Sequence, residues 1–259
     1  MKKFTKLTAF ALALVMALGL LAGCGGSNSD NSTPSGDDTA KTKLVVATSP
    51  DFPPFESLEG GEVVGIEVDI LNKIAEKMGM ELDIQQMDFD SVIPGVQAGK
   101  FDVGMSGITV TDKRKENVDF SSVYFMAAQA IVVADGSSIT GKADLEGKKV
   151  SVQTGTTAEE YCMGNGYEVL AFTANNDAAA ALTSGKVDAW VVDNEVALAM
   201  APELGLTVLD EAMTSEPYAF AFQKGSELVA PFNEALDALL ADGTVEKLFQ
   251  QYGVTYIAP

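Results

Sequence analysis

The chain has 259 residues, of which 17 are Lys or Arg, 37 are Asp or Glu and none is His, for a formal net charge of −20. Such acidity excludes a nucleic-acid footprint, which needs a basic face, and the absent histidine removes the commonest general base and metal ligand. With 47% hydrophobic residues the chain is rich enough to bury one or two cores.

The first predicted element is a targeting segment. Lys2, Lys3 and Lys6 precede an apolar run over residues 10–21, which is short for a membrane span. The run ends in Leu21-Ala22-Gly23-Cys24, which resembles a bacterial lipoprotein cleavage site. That resemblance implies a signal peptide over residues 1–23 and lipid, palmitate included, on Cys24; an ordinary signal peptide with an incidental cysteine is the alternative. Residues 24–42 would then be the lipidated cysteine and a tether of small polar residues unable to bury a core. As a flexible coil, roughly 17 residues reach about 20–25 Å. Losing the three lysines makes the rest still more acidic, which keeps a tethered domain soluble and off anionic lipid.

Residues 44–48 (LVVAT) read as a buried strand, and residues 49–55 (SPDFPPF) as a proline-stiffened loop. Ile66, Ile70, Leu71, Ile74, Ala75 and Met78 share a helical face closed by Gly79. A strand with Leu82, Ile84 and Gln86 follows, then a helix over residues 91–98 and a strand over residues 101–105. This alternation predicts a parallel sheet with crossover helices. The pattern recurs as strand 150–153, helix 157–163, strand 167–172, helix 177–183 and strand 187–192. Within it, Gly185-Lys186-Val187-Asp188-Ala189 echoes Gly99-Lys100-Phe101-Asp102-Val103. Residues 127–133 (AAQAIVV) and 218–223 (YAFAFQ) read as strands crossing between two α/β lobes, and residues 226–252 as helix returning to the first. The expected boundaries are 43–129 with 221–259 for lobe 1 and 130–220 for lobe 2. Ligands of open parallel sheets sit beyond the strands' carboxyl ends, which nominates the loops 49–55, 106–111, 154–157 and 193–194.

Chemistry concentrates on a few residues in and beside these loops. Arg114, the only arginine of the chain, stands in the first turn of a helix starting at Thr111-Asp112. Its planar fork suits a carboxylate, although a surface arginine would look the same. Thr157-Ala158-Glu159-Glu160 reads as a capping box, placing Thr156 and Thr157 where a helix N-terminus attracts an anion or is simply capped. Asp193 ends an apolar strand, ready for an ammonium or for N-cap duty. Phe52 and Phe89 are cavity walls or plain core. Cys162, the only cysteine besides Cys24, is a buried small residue.

DFPPF (51–55), GIEVDI (65–70), the long block 88–121 containing SGITVTDKRKENVDFS, VQTGTT (152–157) and GKVDAWVVD (185–193) occur in this order. Together they resemble the family 3 solute-binding lipoproteins of amino-acid ABC importers. The resemblance implies the periplasmic binding protein-like II fold: two Rossmann-like lobes joined by a two-strand hinge, closing on a ligand like a Venus flytrap. It assigns Arg114 and Thr109 to the ligand α-carboxylate, Ser106 and Gly107 to the head group, and Thr156 and Thr157 to the second lobe's carboxylate site. Asp193 takes the ammonium, and Phe52 and Phe89 the walls. Ser49 lies where several members carry an acid, which speaks against a basic side chain; Gln153 points toward the same pocket. The implied partners are a free L-amino acid, ABC permease subunits and, through the lipid alone, the outer face of the cell membrane. No cofactor, metal, catalytic residue or nucleic acid is expected, and the protein is expected to be a monomer. Two alternatives stay open: a cyclohexadienyl dehydratase-like enzyme with Asp193 or Glu195 as its acid, and a ligand-sensing lipoprotein.

Overall fold

A computed structural model describes residues 42–259. The expected signal segment, Cys24 and almost all of the tether lie outside them. Among the described residues no helix is long and apolar enough to cross a membrane.

The chain opens with β1 (Lys43–Thr48), a small antiparallel sheet of β2 (Asp51–Phe52), β3 (Glu56–Glu59) and β4 (Glu62–Val64), then α1 (Ile66–Met78). It continues through β5 (Glu81–Gln86), α2 (Phe89–Gln97), β6 (Val103–Gly104), α3 (Asp112–Lys115), β7 (Val118–Phe120) and β8 (Phe125–Ala127). The second lobe holds β9 (Gln129–Ala134), β10 (Lys149–Gln153), α4 (Thr157–Gly164), β11 (Glu168–Phe172), α5 (Asn175–Thr183), β12 (Ala189–Asp193), α6 (Asn194–Met200) and β13 (Leu206–Val208). The chain returns through β14 (Glu216–Tyr218) and β15 (Ala221–Gln223) to α7 (Val229–Ala241) and α8 (Thr244–Gln251).

The fold is α/β in two lobes. The first sheet has the order β5-β1-β6-β15-β7 and the second β11-β10-β12-β9-β13. In each, three strands are parallel as expected, but β15 and β9 enter antiparallel, so both sheets are mixed. The two apolar crossing segments are not single strands. Each breaks, at Ala128 and at Ala219-Phe220, into one piece for the hinge and one for a lobe. The hinge pieces, β8 and β14, pair antiparallel with Tyr218 opposite Phe125. An apolar run carries no mark of where it changes partners, so its pattern could not show the break.

The echo between the two GK-x-D segments has a physical cause. In the first lobe Asp102 N–H donates to Val45 O, and Asp102 Oδ2 accepts from Val45 N–H, both at 2.8 Å. In the second, Asp188 N–H donates to Lys149 O and its Oδ2 accepts from Lys149 N–H, again both at 2.8 Å. One aspartate closes a double bond onto the neighbouring strand in each lobe. It also shortens the expected strand at 101–105 to β6, because Asp102's carboxylate replaces a backbone partner.

Packing around the hinge is aromatic. Phe55, Phe125, Tyr218 and Phe249 are fully buried, with ring centroids 5.2 Å apart for Phe55 and Tyr218 and 4.5 Å for Phe125 and Phe249. Each such ring contributes about 1.5–3 kcal/mol by burial. The second lobe's own core includes Cys162, whose thiol burial pushes up to about 12, so it is inert as a nucleophile.

Candidate functional site

The loops after β6, β10 and β12 converge with β2 and the first turns of α2 and α4. They enclose a small cavity between the lobes. Phe52, Phe89, Ser106, Gly107, Thr109, Arg114, Gln153, Thr156, Thr157 and Asp193 line it, together with Ala158, Asn175, Val191 and Val192.

Arg114 is placed by local chemistry. Thr111 caps α3 by accepting from Arg114 N–H at 3.1 Å, which sets the helix start and the arginine's exit angle. The guanidinium lies 5.6 Å from the Phe89 ring centroid, a cation–π distance. Nη1 donates to Thr109 O at 2.9 Å and Nη2 reaches across the cleft to Gly155 O at 3.1 Å. These bonds use two of five N–H donors, so three are left for an anion.

The second lobe supplies a helix terminus and an acid. Thr156, not Thr157, is the N-cap of α4: its hydroxyl accepts from Glu159 N–H at 3.2 Å, while Glu159 reaches back to Gly155 N–H at 2.7 Å. The capping box therefore starts one residue earlier than expected. That leaves the Thr157 hydroxyl to accept from Gln129 Nε2 at 3.3 Å. Asp193 occupies an N-cap position on α6 but makes no capping bond. Its carboxylate accepts from Gln129 Nε2 and from the Tyr218 hydroxyl. Burial pushes the Asp193 carboxyl up to about 8, the Glu216 charge adds to this, and the two hydrogen bonds oppose it. Burial likewise raises the nearby Glu195 to about 7.

Gly107 has φ +51°, and a Cβ there would lie 2.5 Å from the Phe52 ring. The turn after β6 thus requires glycine both for conformation and for close approach.

Residues 44–255 match the bacterial extracellular solute-binding proteins, family 3. The chain belongs to that family. The arginine-binding extracellular protein ArtP of Bacillus subtilis is 35% identical over 240 residues, covering 90% of this chain and 92% of that protein. An ancestral arginine-binding protein bound to arginine superposes with a TM-score of 0.77 at 41% identity, over 82% of this chain and 98% of that one. The structure of an ancestral arginine-binding protein bound to glutamine gives 0.78 at 42% identity, with the same coverage.

In this family 3 protein, one nominated residue lies apart from the cavity lining. Ser49 spends its hydroxyl on Asp51 Oδ1 at 3.1 Å, and its N–H donates to Ser106 Oγ at 3.1 Å. It stands behind the wall because Asp51 is the stronger acceptor beside it. Four contributors escaped the sequence reading. Gln129 sits as a buried amide in the apolar segment AAQAIVV, which was a usable signal. Asn175 begins α5 two residues before the expected start. Tyr218 and Asp51 arrive through hinge pairing and cleft closure, and local pattern carries no trace of either.

Proposed function

We propose that this solute-binding protein captures a free L-α-amino acid between its lobes outside the cytoplasm and delivers it to an ABC-type permease. One observation carries the reading: Arg114 on the first lobe and Asp193 on the second flank a single small cavity. A zwitterion bridging them would satisfy both charges at once and favour the closed form. Thr109 and the first turn of α4 would assist at the carboxylate, and Phe52 and Phe89 would pack on the side chain. The arginine- and glutamine-bound structures of an ancestral relative support the ligand class. The lipid on Cys24, the tether and the monomeric state belong to the same proposal. The dehydratase alternative is less well supported, because the relatives and solved structures that align over most of this chain are amino-acid-binding proteins.

The far end of the cavity points to a donor-bearing side chain. Asp51 Oδ2 accepts from Asn175 N–H at 2.7 Å and from Gln153 Nε2 at 3.2 Å. Asn175 Nδ2 donates to Gln153 Oε1 at 2.9 Å. Helix α5 has Ala174 at its N-cap and no capping side chain of its own, so the first lobe's Asp51 serves that end across the cleft. Asp51 stands behind Gln153 and Asn175, which line the cavity, so a carboxylate two residues beyond Ser49 backs that wall with negative charge, and a guanidinium or amide becomes a suitable terminus. Asp51→Asn removes the charge behind Gln153 and Asn175 and is expected to weaken L-arginine more than L-glutamine. Calorimetric titration with both checks this.

Thermal unfolding with each of the twenty amino acids tests the proposal itself. At 100 times its dissociation constant a true ligand adds about 2.7 kcal/mol of stability. Stabilisation by none of the twenty would end the proposal.

A further inference from the structure

Beneath the turn at Ser106 and Gly107 lie two carboxyl groups that the ligand reading does not use. Glu56 opens β3, Glu67 stands in the first turn of α1, and both are fully buried. Ser106 Oγ donates to Glu56 Oε1 at 2.9 Å, and Gly107 N–H donates to Glu67 Oε2 at 3.0 Å. The Tyr124 hydroxyl donates to Glu67 Oε1. The remaining glutamate oxygen, Glu56 Oε2, is buried with no O–H or N–H beside it. The group Glu56 meets is the Glu67 carboxyl. Two buried carboxyls in contact cannot both ionise, and a proton between them turns the repulsion into a hydrogen bond. Glu67 already accepts from two donors and lies at a helix N-terminus, where negative charge is favoured. The proton therefore belongs to Glu56.

We infer that Glu56 and Glu67 share one proton and act as a positioning pair, which holds the Ser106 and Gly107 turn at the cavity and ties it through Tyr124 to the hinge. Tyr124 directly precedes β8, and its N–H donates to Tyr218 O at 3.0 Å. Tyr218 in turn donates to Asp193. One connected set of hydrogen bonds joins the turn, both hinge strands and the acid of the opposite lobe.

The pair gives the protein a pH signature. Burial pushes Glu56 well above the usual carboxylate range, with the Glu67 and Asp51 charges adding and the Ser106 hydroxyl opposing. Burial raises Glu67 too, while its bonds to Glu56, Tyr124 and Gly107 hold it down. The folded pair binds its proton more tightly than the unfolded chain. Its contribution to stability is complete below the unfolded value, about 4.3, and is lost as pH rises through the folded one.

The test compares wild type with E56Q and E67Q, by thermal unfolding without ligand from about pH 5 to 9 and by calorimetric titration with L-arginine and L-glutamine. A glutamine at position 56 reproduces the protonated acid, donating to Glu67 and accepting from Ser106. A glutamine at position 67 turns an amide donor toward groups that donate. E56Q should flatten part of the fall in unfolding temperature with rising pH, and E67Q should weaken titration at least about tenfold more than E56Q. Equal losses in the two variants, or an unaltered pH profile in E56Q, would overturn the pair. Should E67Q not fold, the E56Q profile alone decides. The titration arm rests on the ligand reading: wild type that binds neither amino acid refutes L-arginine and L-glutamine as ligands, and the unfolding profile still judges the pair.

Discussion

Replacing Arg114 with alanine is expected to weaken amino-acid binding between about thirtyfold and several thousandfold while the domain stays folded. Removing one partner of a hydrogen-bonded charge pair in a closed site costs about 2–5 kcal/mol, because the other charge is left desolvated. The folding cost is smaller. The Arg114 guanidinium makes two hydrogen bonds, both to carbonyls, each worth about 1 kcal/mol. It is the only guanidinium in the chain, so no neighbour takes over. Arg114→Lys keeps the charge without the fork and should fall between wild type and alanine. Calorimetry gives the affinities and circular dichroism the fold. Wild-type affinity in the alanine variant would place the carboxylate elsewhere.

The second large effect is the pH dependence carried by Asp193. Burial holds this carboxyl at about 8 in the closed lobes, against about 3.9 in an unfolded chain. The raised value means that its share of stability is complete below about pH 4 and is lost as pH rises through 8. A bound ammonium supplies the missing positive charge and lowers the carboxyl's pKa again. Binding at neutral pH therefore releases a proton, and affinity should climb with pH between about 5 and 8, by at most tenfold per unit. Asp193→Asn should flatten that climb and weaken binding at pH 8. Glu195, raised to about 7 beside it, keeps its own contribution in the variant, so the difference between the two profiles isolates Asp193. Titration in two buffers of different ionisation enthalpy counts the protons. An affinity independent of pH in the wild type would contradict this role.

Much of this was legible in the residues because the fold repeats a local device. The GK-x-D echo has its cause in the matched strand-closing bonds of Asp102 and Asp188, and the alternation of strand and helix followed from periodicity. What stayed hidden involves choice between chemically similar neighbours or contacts made at long range. Thr156 and Thr157 are equally good caps on paper, and only backbone geometry selects the first. Ser49 holds the position expected to face the ligand, yet Asp51 takes its hydroxyl and faces the second lobe. Tyr218 and Gln129 reach Asp193 from segments whose apolar pattern is the same for one strand as for two. Glu56 and Glu67 look like ordinary surface acids until the β3 strand and α1 bury them against each other.

The central claim is that one ligand bridges Arg114 and Asp193 by its two charged head groups. Calorimetric titration with the best amino acid of the twenty, in parallel with its methyl ester and its deaminated acid, tests this most directly. The ester lacks the carboxylate and the acid lacks the ammonium, so each should lose at least about a hundredfold in affinity relative to the parent. An ester or a deaminated acid that binds as tightly as the amino acid would contradict the claim.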